Sequence, residues 1–284
     1  MSAAWRARVW SVVATLGVGV ALASCGGTAN AQSVVLKSTD ATVAAKTAKV
    51  YEKVTVEGAS ASFALPDMTA TGAVDLVGRK ATMAMKVGGQ DADLVMIGSV
   101  VYERIPALRA ATGKQWLKID LDTIGQAAGV EGLGSLAQST SNDPGAALAY
   151  LRGAGSVEDA GHESVRGETT THYKAVVDLE QAAGRAPEAQ ARTLRQVAKL
   201  LGVAKQPIDV WIDGDGRVRR LTETIDYTKA NLPASVPKTA LPKRMTILVE
   251  YFDFGTPVSV EAPPASDVGD FSELLGQGGG GPAS

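Results

Sequence analysis

The chain has 284 residues, of which 45% are hydrophobic and 20% charged, with a formal net charge of −2. That balance fits a globular protein and excludes a nucleic-acid binder, which would carry a basic excess. Cys25 is its one cysteine, which excludes an intramolecular disulfide and a thiolate metal cluster.

The N-terminus has a basic head (Arg6, Arg8), an apolar run from Val9 to Ala23 and a small-residue cleavage region, the order of a bacterial signal peptide. The run is shorter than the roughly 20 apolar residues that cross a bilayer. Leu22-Ala23-Ser24-Cys25 resembles the lipobox that ends lipoprotein signals. In proteins sharing that motif the cysteine sulfur is alkylated with diacylglycerol and the signal is then removed. The resemblance implies a signal peptide over 1–24, a lipidated Cys25 as first mature residue, and an address on the extracytoplasmic face of the cell membrane. The alternative is a secreted protein with an incidental cysteine.

Residues 25–38 are small and polar, which predicts a flexible tether. From Thr39, apolar residues recur at helical steps (Val43, Val50, Tyr51, Val54), with Thr39 or Asp40 as cap, and predict an amphipathic helix. Next come short alternating segments. Ala81, Met83, Met85 and Val87 share one face of Arg79–Val87, and Gly88-Gly89 turns the chain into Gln90–Ile97 as a hairpin. Further strands are expected at about 60–65, 69–76, 99–105 and 115–120.

Asp143 and Pro144 mark a helix start that Gly153 closes. Strands at about 155–165 and 169–179 precede a longer helix at about 187–201, with Leu194 and Val197 on its apolar stripe. Strands at about 207–213 and 217–227 flank Asp213-Gly214-Asp215-Gly216, and one more runs over 245–254. The domain is expected to cover 39–262. The tail 263–284 reads as flexible, apart from a short helix near Phe271–Leu275. Without βαβ alternation the fold class is α+β: a curved antiparallel sheet, or half-barrel, with helices covering the concave face.

Catalytic chemistry finds little support. The two histidines, His162 and His172, fall in strands, and His172 shares a face with Lys174 and Asp178 that reads as solvated. Asp213 and Asp215 read as a hairpin turn, since the other ligands of a calcium loop are missing. Glu180, Glu188, Asp120 and Asp122 read as surface or capping groups, and no cofactor or metal is indicated.

The unusual feature is apolar. Small and flexible residues occupy inward strand positions, which would leave space for an irregular ligand. The expected cavity lining is Val74, Leu76, Ala81, Met83, Met85, Val87, Val177 and Leu179 from strands, with Leu194 and Val197 from the helix. An ordinary filled core is the other reading of the same residues. The glycine-rich stretch Leu121–Ala137 is either a loosely held gate or a loop packed on the sheet edge.

The order of elements, together with Val165-Arg166-Gly167-Glu168-Thr169-Thr170-Thr171-His172-Tyr173 leading to Val177-Asp178-Leu179, resembles the LppX/LprG (LprAFG) family of envelope lipoproteins, related in fold to the LolA and LolB carriers. The resemblance covers about 40–255. It implies a half-barrel whose hollow holds acyl chains of a lipid or glycolipid, carried or presented in the cell envelope without catalysis. It also implies a monomer anchored to the membrane through Cys25, with an envelope transporter as a candidate partner. The alternative is a protein-interaction module with a filled core.

Overall fold

A computed structural model describes residues 27–58, 67–104, 109, 113–123, 151–185, 188–231 and 242–271. Cys25, the strand expected at 60–65, the Asp143 helix start and most of the Leu121–Ala137 stretch lie outside the described residues. The strands are β1 Thr47–Glu57, β2 Met68–Asp75, β3 Lys80–Val87, β4 Gln90–Ile97, β5 Val100–Arg104 and β6 Trp116–Asp120, then β7 Ala154–Val165, β8 Glu168–Asp178, β9 Lys205–Asp213, β10 Val218–Asp226, β11 Arg244–Phe252 and β12 Val268–Asp270. The described helices are α1 Gly27–Ala44, α2 Leu179–Gly184 and α3 Glu188–Leu201.

All twelve strands form one open sheet in the order β12-β6-β5-β4-β3-β2-β1-β11-β10-β9-β8-β7. Every neighbouring pair is antiparallel except β12 and β6. The half-barrel class read from the sequence is therefore the one observed. Meander connections explain the order, because short turns join antiparallel neighbours. Gly88 and Gly89 both adopt positive φ, as a two-residue hairpin turn requires. Arg166 and Gly167 do the same between β7 and β8. Inward residues of β1 to β5 and β7 to β11 enter one apolar cluster on the inner face, which α1, α2 and α3 join through Val35, Ala182 and Leu194.

Four elements depart from expectation, one of them α2, which has no counterpart in the sequence reading. Residues 47–57 form a strand, where helical spacing placed a helix: Ala48, Val50 and Val54 are buried on alternate positions, and Glu52 at the remaining inward position masks the alternation. Residues 27–38, where composition suggested a tether, are helical and continuous with the helix expected from Thr39, in one element that ends at Ala44. Its stability is tertiary, since Ala31 and Val35 are buried and Gln32 donates to the carbonyls of Ala154 and Gly155. The Ser38 and Thr42 hydroxyls return to the Val35 and Ser38 carbonyls, and Thr42 Oγ1 also accepts the Val218 N–H, so small polar residues complete the packing. Finally, residues 268–270 of the expected flexible tail pair with β6, and Gln115 N–H donates to the Asp267 carbonyl beside them.

α3 ends at Gly202, which has φ +67°, and a Cβ there would lie 2.2 Å from the Lys229 carbonyl oxygen. Gly202→Ala therefore combines backbone strain with a backbone clash, and is expected to cost about 2 kcal/mol. Urea unfolding should show a lower midpoint with an unchanged slope.

Candidate functional site

The inner face is built from two chemically different halves. On β2 and β3, Val74 faces Ala81, Gly72 faces Met83, Ala70 faces Met85, and Met68 faces Val87. β4 continues this texture, with Ala92 opposite Met85 and Met96 opposite Ala81. On β8 to β11 the corresponding positions hold branched or aromatic side chains, among them Tyr173, Val210, Leu221, Val249 and Tyr251. α1 lies against β7 and touches β9 and β10, and α2 follows β8, so the described helices cover the bulky half.

The sequence-derived lining divides accordingly. Val74, Leu76, Ala81, Met83 and Met85 are buried together on the small-residue half, with Val87 half-buried at its margin. Val177 in β8 and Leu179, which begins α2 instead of continuing the strand as expected, are fully buried at the other end of the sheet. There a Cβ on Gly153 would lie 2.6 Å from Ala182 Cβ and 3.0 Å from Val177 Cγ1, so this end is a closely packed core. Leu194 is buried in α3; Val197 lies in the same helix, and its side chain is outside the described ones.

Three glutamates interrupt the inner face. Glu52 is 2% exposed, with Ala70 beside it on β2 and Val249 on β11. Its Oε1 has no hydrogen-bond partner among the described residues, and burial pushes its carboxyl up to about 8. Glu223, opposite Ile247, is pushed up by burial to about 7. Burial, reinforced by Glu223, pushes the Tyr227 phenol up to about 12. Glu103, opposite Leu94, is raised for the same reason as the other two glutamates. Sequence reasoning missed Glu52 because its strand was read as a helix; the pattern Ala48-x-Val50-x-Glu52-x-Val54 is the available signal.

The outer face carries a polar and aromatic row. His172, Trp211, Arg220, Glu250 and Tyr51 are consecutive cross-strand neighbours. His172 is not solvated as expected: it is 8% exposed and stacks on Trp211 at 4.2 Å between ring centroids. Its Nε2 lies 2.6 Å from Asp209 and its Nδ1 3.2 Å from Glu163, whose other oxygen accepts the Trp211 indole N–H. Arg166 and Arg220 both bind the Glu250 carboxylate, and Arg166 lies 4.0 Å over Phe252. Each charge has a partner within the row, which suits a rigid outer wall.

Near this end, His162, Glu168, Thr170, Asp213 and Arg219 border an open polar depression of about 540 Å³. Asp213 accepts from the Asp215 and Arg217 backbone N–H groups and from the Arg217 and Arg219 guanidinium groups. Burial pushes its carboxyl up, but the Arg217 N–H and the guanidinium groups outweigh this and hold it below the usual carboxylate range. Its oxygens are thus committed to the hairpin turn, in keeping with the turn reading of this loop.

No protein-family model matches the chain. Over 182 residues, 63% of the chain, it is 29% identical to an uncharacterized 31.2 kDa protein of Streptomyces griseus, covering 55% of that protein. It is 26% identical over 194 residues, 66% of the chain, to a Streptomyces coelicolor protein provisionally named a lipoprotein, covering 52% of it. The chain thus spans about half the length of the curated relatives it matches. Among solved structures, lipoprotein LppX of Mycobacterium tuberculosis is similar over 82% of this chain and 99% of its own, at 16% identity and a TM-score of 0.49. LprF of Mycobacterium bovis is similar over 84% and 98%, at 14% identity and a TM-score of 0.44. A LolA superfamily protein of Nitrosomonas europaea is similar over 83% and 96%, at 9% identity and a TM-score of 0.27. The structural neighbours are LppX, LprF and LolA-type proteins.

Proposed function

We propose that this chain is an exported lipoprotein, held by Cys25 at the extracytoplasmic face of the membrane, that shelters acyl chains of a lipid or glycolipid against the small-residue half of its sheet and carries or presents them in the envelope. The observation that supports this reading is the composition of that half: alanine, glycine and methionine predominate among the inward residues of β2 to β4, beside Val74, Val87 and Leu94, and the described helices lie on the other half. Short side chains such as those of Ala70, Ala81 and Ala92 demand less volume over the sheet than branched ones would, and methionine adapts to irregular apolar shapes. Removing apolar area from water contributes about 25 cal/mol per Å², so acyl chains can be held by desolvation with few polar contacts. No covalent step is required of the protein.

Native mass spectrometry of the Cys25→Ser chain from its own host, followed by lipid extraction, tests the proposal. The expected spectrum shows a stoichiometric lipid adduct, and Ala81→Trp, which places an indole over the inner face opposite Val74, lowers its occupancy at least several-fold while far-UV circular dichroism is unchanged. A clean apo mass for the unsubstituted pocket under gentle conditions would favour the alternative, a protein-interaction module with a filled interior. That alternative needs an exposed apolar patch, and the only large hydrophobic exposed among the described residues is Val77.

A further inference from the structure

Among the described residues, Glu52 Oε1 is the buried side-chain atom on the inner face that no hydrogen bond accounts for. A buried polar atom without a partner costs free energy comparable to a lost hydrogen bond, and such atoms are few in folded proteins. Its neighbours give it none: Ala70 and Val249 flank it across the sheet, and Val50 and Val54 share its face along β1. On the β2 side, Ala70 and Gly72 are the short side chains of the small-residue half, so the carboxyl borders the region proposed to receive lipid.

We infer that Glu52 is a polar anchor within the acyl-binding hollow, hydrogen-bonding an uncharged polar group of the ligand, a hydroxyl adjoining an acyl ester. The inference rests on the lipid-binding reading above and adds the chemistry of the ligand. Charge on this face selects the class. The inward positions of β1 to β6, as set by the strand pairing, include Glu52 and Glu103 and no lysine or arginine. Glu223 adds a third carboxyl two strands away, on β10. A phosphate or other anionic headgroup brought here would meet carboxyl groups and no cation, whereas a hydroxyl can donate to Oε1 at no cost in charge. A protonated carboxyl also donates, so a single residue can serve both the hydroxyl and the neighbouring ester carbonyl.

The test measures binding of dioleoylglycerol, dioleoylphosphatidic acid and n-hexadecane to the delipidated Cys25→Ser chain and to the same chain carrying Glu52→Met or Glu52→Gln. The expected result is that the parent chain prefers dioleoylglycerol to the phosphatidic acid. Methionine should then weaken dioleoylglycerol about tenfold, the worth of one well-placed hydrogen bond, while hexadecane binding is kept and the melting temperature rises. Glutamine, which still donates and accepts, should stay within about threefold of the parent. Opposite movement of stability and affinity separates an anchor from a residue that only supports the fold. Equal dioleoylglycerol affinity in parent and methionine chains, with hexadecane bound by both, would overturn the anchor and leave the lipid-binding reading standing. Failure of the parent to bind any of the three would remove both.

Discussion

Serine at position 25 is expected to abolish acylation of the chain and, because signal removal follows alkylation, to leave the apolar N-terminal run uncut. The thioether that anchors a lipoprotein forms only on sulfur, and Cys25 is the one cysteine available to form it. The reading requires the mature wild-type protein to begin at Cys25, with its N-terminal peptide carrying the mass of a diacylglyceryl group. Two or three acyl chains at about 0.8 kcal/mol per buried CH₂ hold the mature wild-type protein firmly, whereas the serine chain should carry no acyl group and run at the mass of the uncut precursor. Peptide mass spectrometry of wild-type and Cys25→Ser protein, alongside fractionation, checks it. A wild-type chain that begins elsewhere, or an unmodified Cys25, would refute the anchor whatever the fractionation gives.

The second large effect is on stability against pH. The Glu52 carboxyl is raised to about 8 in the folded protein from an ordinary value of 4.5. Below that ordinary value the group is protonated whether the chain is folded or not, and the shift has no effect. As pH rises from there, the unfolded chain releases its proton while the folded chain retains it, so the unfolded state is favoured progressively until the folded group also ionises. The full penalty, reached above pH 8, is about 5 kcal/mol at 1.36 kcal/mol per pH unit. Glu223, raised to about 7, and Glu103 act in the same direction. Chemical denaturation from pH 5 to 9 should therefore show falling stability in the apo protein. Glu52→Gln should flatten most of that slope and leave the smaller share of the other two glutamates. A variant profile that tracks the parent at every pH would show that Glu52 does not titrate in this way.

Both effects bear on how much of the molecule could be read from its sequence. The hairpin of β3 and β4 was legible because alternation and a Gly-Gly turn agree between Lys80 and Ile97, and α3 because its apolar stripe and terminal glycine agree. β1 was not, because one inward carboxyl breaks an alternation that would otherwise be plain. α1 was hidden for a different reason. Its small polar residues make a helix only against β7 and β10, through bonds such as Gln32 to Ala154 and Val218 N–H to Thr42. The burial of His172 likewise depends on Trp211 in the next strand, and β12 on a partner far away in sequence. For the candidate site, alternation along β2 and β3 was enough to gather Val74, Ala81, Met83 and Met85 on one face. It could not separate them from Val177 and Leu179, which only the position of Gly153 and Ala182 shows to be closed packing.

The helix at the N-terminus also governs posture. A tether of the length suggested by composition would let the domain range over about 40 Å from its attachment, since an extended chain gains about 3.3–3.6 Å per residue. α1 instead begins at Gly27, two residues beyond Cys25, which leaves about 7 Å of reach. A lipid on Cys25 would thus seat the first turns of α1 at the headgroups, and the start of β7, gripped by Gln32, would be the part of the sheet nearest the bilayer. The small-residue strands β2 to β4 lie in the middle of the sheet, six to eight places from β7, so the molecule would meet the membrane first with its closely packed end.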